Sequence, residues 1–464
     1  MRLIGRNATT LPGAVVYKIC RRLPEFLTRG QDVTLVTGTN GKTTTVRILC
    51  SIYKSNGYKV ITNISGANMI AGIVTAMMES MKVSMIRKAH KSNVMDFKKE
   101  KIKIILEIDE AVFAKYSNEL NPSVIAVTNL FRDQLDRYGE LSKTRELIRS
   151  GILKASKSKI VLCADDSLTA SLGVGVEKRV LYAGVNTDSM NIKQENIKDN
   201  PEAGNCVFCS EKYIYEGRTF GHLGDYNCPG CFFKRPELDF SVSYKHMGNN
   251  NFKICLKDKR EVIIRNKIKN FDKCSVETIL PIPGEYNVYN ALTSFSAAVA
   301  GGIVPSDCLA GIKNSSSGFG RMERFIIEGK DVCTILVKNP AGLDRALDFL
   351  TNAEDLGSIL FLLNDNYADG TDVSWIWDVD FESRNLEGRV FVSGTRCYDM
   401  ALRIQYSGKE KTDITASEDF VDMFNHAHDA CEDGKCFYIL PNYTSMLSLR
   451  KHMEKKYKLK GIWQ

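Results

Sequence analysis

QDVTLVTGTNGKTTTVRILCSIYKSNGYKVIT, residues 31–62, opens on a β-branched apolar run, bends through a loop with two glycines, and continues with helical periodicity into a second apolar run. That order spells strand, loop, helix, strand, the βα unit of a parallel sheet. Within it TGTNGKTTT, Thr37 to Thr45, sets Gly38 and Gly41 where a backbone must turn closely around an anion, and the helix is expected to begin at Lys42 or just after. Amide donors of the loop, from Gly38 through Thr39, Asn40 and Gly41, and the positive helix end then converge on phosphate. The Lys42 ammonium can reach the β- and γ-phosphates, and the hydroxyl of Thr43 or Thr44 can ligate Mg2+. The string departs from GxxxxGK[ST], because Val36 stands at the first glycine position. Strand, loop, GKTT and helix together still make ATP binding the expectation.

Working outward, Val15, Val16, Ile19, Cys20, Leu23, Phe26 and Leu27 recur at helical spacing between Leu11 and Thr28. They predict one packed helix, kinked at Pro24. Apolar runs at Ile102–Ile108, Val124–Thr128 and Ile160–Cys163, separated by segments of helical length, predict further strands of a doubly wound α/β fold. Around residues 186–202 the polar, turn-rich NTDSMNIKQENIKDNPE opens an insertion. After Arg235, the runs FSVSYKHM, NFKICLK and EVIIR alternate as antiparallel strands do, and PIPGEYNVYNALTSFSAAVAGG restores a long helix. NSSSGFGRMERF, from Asn314, reads as a hinge into a last α/β unit with strands near Val332–Val337, Ile359–Leu363, Arg389–Ser393 and Cys436–Leu440. The expected division is residues 1–313 for a central ATP-binding domain, with 200–236 inserted in it, 314–324 for the hinge, and 325–464 for a C-terminal Rossmann-like α/β domain.

The insertion carries CVFC, with Cys206 and Cys209, and after 18 intervening residues CPGC, with Cys228 and Cys231. Each CxxC offers two thiolates from a tight turn, and the two together close a tetrahedral Zn2+ site, the zinc-ribbon pattern. Four sulfur ligands leave no position for water, so this zinc is expected to hold the insertion folded rather than to catalyse. His222, between the two turns, reads as a surface histidine. The other ten of the 14 cysteines are scattered singly, as reduced core thiols are.

With 464 residues, 63 Lys+Arg, 55 Asp+Glu and 44% apolar residues, the composition excludes general disorder. No apolar stretch approaches the roughly 20 residues that span a bilayer, and the N-terminus lacks a signal-peptide core, so a cytoplasmic location is expected. The excess positive charge is local. Residues 82–103 carry eight Lys/Arg, among them Lys98, Lys99, Lys101 and Lys103, against Asp96 and Glu100. Such a stretch is either a solvated face or a contact to an anionic surface.

The loop TGTNGKTTT resembles the ATP loop of the Mur ligase superfamily, the peptidoglycan and folylpolyglutamate ligases. The resemblance implies an ATP-dependent ligase and extends along the chain. LEIDEA offers Glu107 as the strand-end Mg2+ ligand of that family, with Asp109 and Glu110 nearby. TNLFRDQLDRYGE matches the family's segment at Asn129, Asp133 and Asp136, with Gln134 in place of a metal-binding His. Lys143 is the candidate for the carbamylated lysine of many relatives. PGEYNVYNALTSF resembles the adenine-contacting helix, giving Asn287 and Asn290 on one face, while Tyr286 replaces a common His. FGRMERF supplies Arg321 at the hinge arginine that relatives set on phosphate.

KNPAGLDRAL, from Lys338, resembles the NP segment of the family's third domain. FLLNDNYADGTDVSWIWDVDFE, SGTRCYDMALRIQYSG and LPNYTSMLSLR resemble one branch of the superfamily, the synthetase subunits of lipid II isoglutaminyl synthases. These pair with GatD, a glutamine amidotransferase-like subunit, and act on lipid II, which implies a place at the inner face of the plasma membrane. The basic stretch of residues 82–103 would then face the membrane. In this branch a C-terminal Asp of the synthetase completes the partner's Cys-His pair, and Asp369, Asp372 and Asp378 are the candidates. None of the cysteines sits in a GxCxG elbow, so a separate glutaminase is expected. Trp375 and Trp377 read equally as core or as interface anchors. Two rival readings are an amino-acid-adding ligase of the folylpolyglutamate type and a zinc-ribbon nucleic-acid-binding ATPase. The latter is hinted at by Phe232, Phe233, Lys234 and Arg235 beside the ribbon, although no nucleic-acid partner is expected.

Overall fold

The computed structural model describes residues 11–63, 67–80, 101–131, 141–190, 204–219, 221–231, 233–247, 251–264, 267–270, 274–315, 321–351, 353–384 and 386–457. The chain forms two compact units, Met1–Leu130 with Leu141–Ser316, and Phe131–Glu140 with Ser317–Gln464.

The first unit is built on a sheet whose middle strand comes from the opening quotation. Strand β1 (Val33–Thr37) lies between β3 (Ile102–Glu107) and β4 (Val124–Val127), parallel to both, and all five of its residues are buried. A strand covered on both faces reads as a continuous apolar run, which is why VTLV shows no alternation. On one face Leu35, Leu106 and Val127 pack with Ile73, Phe113 and Ile148 of the helices Ile70–Ser80, Glu110–Tyr116 and Leu141–Lys154. The helices Lys42–Ser55 and Tyr286–Ala300 contact the same sheet, Lys42–Ser55 at β1 and β3 and Tyr286–Ala300 at β4.

β2 (Lys59–Ile61) ends the sheet beside β3, while β5 (Lys159–Cys163) and β6 (Val180–Val185) continue it beyond β4. β7 (Ile214–Arg218) and β8 (Gly224–Asn227) form a separate hairpin. β9 (Phe240–Met247) returns to the main sheet parallel to β6, followed by antiparallel β10 (Asn251–Asp258). β11 (Glu261–Ile264) and β12 (Lys267–Asn270) pair with each other, and β13 (Cys274–Leu280) closes the edge beside β10. FSVSYKHM and NFKICLK thus extend the parallel sheet as β9 and β10, β13 brings it to nine strands, and EVII of the third run lies instead in the separate β11–β12 pair.

The second unit is a six-stranded sheet. β14 (Arg321–Ile327) is antiparallel to β15 (Lys330–Ile335), and β16 (Leu356–Leu362), β17 (Val390–Ser393), β18 (Ile414–Ala416) and β19 (Cys436–Pro441) run parallel to β15 in the order β14-β15-β19-β16-β17-β18. The segment read as a hinge, residues 314–324, overlaps β14 from Arg321 onward; residues 316–320 lie outside the described residues.

Two expectations are corrected. The N-terminal segment is two helices, Leu11–Ile19 and Leu23–Thr28, and the break falls at Cys20–Arg22 rather than at Pro24. Pro24 sits in the first turn of the second helix, where a missing N–H costs nothing. Lys103 is no surface cation: it is fully buried, its Nζ donating to Asp32 Oδ1 at 2.7 Å and lying 4.9 Å from the ring centre of Tyr53. Burial pushes the Lys103 pKa down, and Asp32 opposes the shift. Lys101 is exposed, and Lys98 and Lys99 lie outside the described residues.

Candidate nucleotide and metal sites

Gly38 and Gly41 have φ of +118° and +80°, the left-handed conformations a loop needs to fold its amides inward. Gly41 is the N-cap of Lys42–Ser55, so the helix begins at Lys42 as its sequence implies. The loop is braced from its side. Thr39 N donates to Asn129 O at 2.8 Å, Asn40 N to Asn129 Oδ1 at 3.0 Å, and Asn129 Nδ2 returns to Asn40 O at 3.2 Å. A β-carbon on Gly38 would stand 2.4 Å from Thr128 Oγ1, so glycine is required by space as well as by φ. Asn129 thus holds the loop. Its companions Asp133, Gln134 and Asp136 lie outside the described residues, and Lys143 is exposed on the helix Leu141–Lys154.

Lys42 is buried, with Nζ donating to Gly38 O, to Thr39 O at 3.3 Å and to Glu110 Oε1 at 2.8 Å. The three carboxylates of LEIDEA therefore divide their work. Glu110 neutralises Lys42, and Asp109 caps the helix Glu110–Tyr116 by accepting from Ala111 N at 3.0 Å. Glu107 ends β3, buried, its backbone fixed by paired hydrogen bonds to the Asn63 side chain at 2.9 and 2.8 Å. β1 and β3 are adjacent and parallel, so the loop that follows β1 and the Glu107 carboxylate leave the sheet at the same edge. A hard oxygen donor there, with the half-buried Thr43 and buried Thr44 hydroxyls at the helix start, is a donor set that suits Mg2+.

The Asn pair meets the same loop. Asn290 Nδ2 donates to Asn287 Oδ1 at 2.8 Å, and Asn287 Nδ2 to Pro283 O at 2.6 Å. Both side chains are buried, and Ser294 Oγ, one turn on, donates to Thr45 O at 3.0 Å. Tyr286 is the first residue of that helix. Arg321 opens β14, and its side chain lies outside the described residues.

In the insertion the four cysteine sulfurs lie within 4.8 Å of one another, with Cys206–Cys231 at 3.4 Å, Cys209–Cys228 at 3.3 Å and Cys228–Cys231 at 3.6 Å. Tetrahedral zinc with bonds of about 2.3 Å sets its sulfurs about 3.8 Å apart, so the cluster fits the ion. Each pair is formed by a tight turn closed by backbone bonds, Cys206 N to Glu211 O at 2.7 Å and Cys228 N to Phe233 O at 2.9 Å. Burial opposes ionisation of Cys206, but the Phe208 and Cys209 amides bring its thiol down to about 7. Beneath the cysteines Tyr213, Tyr226 and Phe233 form a small aromatic core, with Tyr213 and Tyr226 ring centres 5.1 Å apart.

His222, read as a surface histidine, is a correction. It is 2% exposed, and its Nε2 lies 3.1 Å from Asp166 Oδ1. The basic-aromatic hint of nucleic-acid binding also dissolves, since Phe233 packs inside the ribbon and Arg235 is held by Asp165 at 2.6 Å; Phe232 lies outside the described residues. Asp165, Asp166 and Tyr289 had no role in the sequence reading. The signal available was the paired Asp one residue beyond β5, a strand end on the same edge as the phosphate loop.

In the second unit the three candidate carboxylates differ. Asp369 is 5% exposed and accepts from Thr444 N at 2.7 Å and from the Thr444 hydroxyl. Asp372 and Asp378 are exposed, Asp372 accepting from Ser374 N at 2.8 Å. Trp375 packs against the core of this unit, whereas Trp377 is 48% exposed.

Comparison with known proteins agrees with this arrangement. The family model of the Mur ligase middle domain matches residues 36–229, and that of the MurT ligase C-terminal region matches residues 336–446. The lipid II isoglutaminyl synthase (glutamine-hydrolysing) subunit MurT of Streptococcus pneumoniae is 32% identical over 450 residues, which are 97% of this chain and 92% of that protein. The subunit of the same name from Staphylococcus aureus strain COL is 29% identical over 98% of this chain and 95% of its own length. Among solved structures, a pseudomurein peptide ligase type C from Methanothermus fervidus shares the fold with a TM-score of 0.64, at 22% identity over 92% of this chain and 79% of that one. A likeness that runs from the N-terminal helices to the last strand, and includes both the phosphate loop and the C-terminal unit, means that the chain belongs to the MurT family of Mur ligases.

Proposed function

We propose that the chain uses ATP to activate the D-Glu α-carboxylate of the lipid II stem peptide as an acyl phosphate, which is amidated to D-isoglutamine with ammonia from a GatD-type glutaminase partner. The observation that carries this reading is the phosphate loop, two left-handed glycines followed by a buried Lys42 at a helix start, inside a chain similar over nearly its whole length to MurT subunits.

A carboxylate is a poor acyl donor. When its oxygen attacks the γ-phosphorus, the bond to the β-phosphate bridge breaks, ADP leaves, and the carbonyl acquires a phosphate leaving group. Ammonia then adds to the carbonyl carbon, phosphate departs with the bonding pair, and the nitrogen loses one proton. The work of the chain is alignment and charge neutralisation. The amides of Gly38 to Gly41 hold the β- and γ-phosphates, and Lys42 exchanges Glu110 for phosphate oxygens. Asn287 and Asn290 contact the adenine side, and Arg321 is the arginine offered to phosphate. Glu107 with Thr43 or Thr44 would hold Mg2+, which supplies charge neutralisation on the transferred phosphoryl group. Cys206, Cys209, Cys228 and Cys231 would hold a structural Zn2+.

Ammonia needs a glutaminase, and the chain has no cysteine elbow for one. Of the three aspartates offered to the partner's Cys-His pair, Asp369 is buried and bonded to Thr444, whereas Asp372 and Asp378 are exposed, where a partner's imidazole N–H can reach a carboxylate. Beside them Trp377 is the exposed anchor. Among the described residues no helix is long and apolar enough to cross a membrane, which suits an enzyme that meets lipid II from the cytoplasmic face.

The test is reconstitution of the chain with a GatD-type subunit, glutamine, ATP and lipid II. The expected product is lighter by the difference between a hydroxyl and an amino group, and forms only when both subunits are present. Addition of a whole amino acid, or ATP turnover driven by RNA or DNA, overturns the reading.

A further inference from the structure

Two adjacent carboxylates after β5 join the ribbon to both flanks of the phosphate loop. Asp166 receives four donors: His222 Nε2 at 3.1 Å and Leu168 N at 3.1 Å on Oδ1, Leu130 N at 2.7 Å and Thr169 Oγ1 at 2.5 Å on Oδ2. A carboxylate accepts only, so His222 is the donor in its pair. Leu130 directly follows Asn129, the residue bonded to Thr39 and Asn40 of the loop. Asp165 takes Arg235 Nε and Nη2 on Oδ1 at 2.8 and 2.6 Å, and Val185 N and Tyr289 Oη on Oδ2 at 2.8 and 2.7 Å. Its own carbonyl accepts from Gly224 N at 2.9 Å.

Tyr289 also meets Thr219 of the insertion at 2.8 Å, and it lies between Asn287 and Asn290 on the helix that abuts Gly41. His222, Thr219, Gly224 and Arg235 all come from the inserted segment. Asp165, Asp166, Tyr289 and His222 are each at most 6% exposed, so these bonds form away from water, where geometry is held tightly.

We propose that the ribbon positions the nucleotide site, through His222–Asp166–Leu130 on one side of the phosphate loop and Arg235–Asp165–Tyr289 on the other, so that an ordered ribbon is a condition for tight nucleotide binding. This rests on the reading of residues 37–45 as the ATP loop. His222 and Tyr289 are positioning residues: they reach Asn129 and Asn290 through the chain and touch no phosphate themselves.

The test uses the full-length chain with its glutaminase partner and reads the Kd for Mg–ADP, the split between KM for ATP and kcat of amidation, and bound zinc. His222→Ala and Tyr289→Phe are each expected to raise Kd and KM by about tenfold, the scale of one buried charge-assisted hydrogen bond, with zinc retained and with a smaller change in kcat. His222→Gln, which can set an N–H near the place of Nε2, is expected to recover most of the affinity. Removing zinc from the parental chain with a chelator is expected to weaken Mg–ADP binding at least as much. Tyr289→Phe loses one oxygen and keeps its ring, so it carries the test where His222→Ala fails to fold. Parental Kd and KM in the folded variants, or after zinc removal, overturn the proposal. A parental chain that does not bind Mg–ADP, or Lys42→Ala binding it equally well, instead overturns the nucleotide reading itself.

Discussion

A β-carbon on Gly41 would stand 2.1 Å from Asn290 Oδ1, so the left-handed residue that ends the phosphate loop and an amide of the helix Tyr286–Ala300 occupy touching positions. Two segments far apart in the chain are thereby fitted to each other with no room for a methyl group. Gly41→Ala is expected to pay twice, about 1–3 kcal/mol for φ of +80° and more for the clash. Thermal unfolding should show that loss, with Mg–ADP binding abolished. Adding Asn290→Ala should return part of the stability, because it removes the clash and leaves the backbone strain, a non-additivity that a double-mutant cycle measures.

Lys42 and Glu110 form a buried pair at 2.8 Å. Lys42→Ala should abolish amidation and destabilise the chain by about 3 kcal/mol, since it strands a carboxylate out of water. Glu110→Gln removes the countercharge beside the ammonium and keeps only a neutral acceptor, so bound phosphate relieves a larger deficit. Mg–ADP should bind this variant several-fold tighter than the parent, which calorimetry would read directly.

Asp32 and Lys103 differ in exposure, Lys103 fully buried and the Asp32 side chain 41% exposed. Asp32→Ala should cost about 2 kcal/mol, below the usual range for a broken buried pair because the carboxylate is partly hydrated. Lys103→Met should cost less. The Lys103 pKa is lowered in the fold, so between that value and the ordinary lysine value the unfolded chain binds more protons, and stability rises with pH. Chemical denaturation across alkaline pH should show this slope in the parent, a steeper one in Asp32→Ala, and none from this group in Lys103→Met.

Glutamine hydrolysis in the complex should separate the three C-terminal aspartates. Asp372→Asn or Asp378→Asn, whichever orients the partner's imidazole, should lower it by about 100-fold or more while Mg–ADP binding stays intact. Asp369→Asn should instead lower the melting temperature of the second unit, because it replaces an acceptor of two Thr444 donors with a group that also carries N–H. Hydrolysis unchanged in both Asp372→Asn and Asp378→Asn would remove these residues from the partner's site.

The phosphate loop and the CxxC pairs were legible because each is a short-range pattern: glycine spacing sets the backbone, and two residues between thiols set a turn. The strands near Ile102, Val124 and Cys436 were legible because a strand buried on both faces is a plain apolar run. His222 was misread for the opposite reason. Its partner Asp166 is 56 residues away, and Asp165 collects Arg235 from 70 residues and Tyr289 from 124, so no local spacing marks the cluster. The β7–β8 hairpin, IYEGR and GDYN, is too polar to read as strands; the ribbon's aromatic core and cysteines hold it instead. The break before Leu23 was invisible because helical spacing of apolar residues continues across the turn at Cys20–Arg22.

The place of β1 in its sheet has a consequence for synthesis. The strand is made early, yet its neighbours are β3 and β4, so it has no partner on either side until Ile102 to Val127 have left the ribosome. Even then the loop lacks the wall that Asn290 provides, more than 160 residues later. A nascent chain therefore exposes an apolar strand until Val127 has emerged and an unformed nucleotide loop until Asn290 has, and becomes able to hold ATP only near the completion of its first unit.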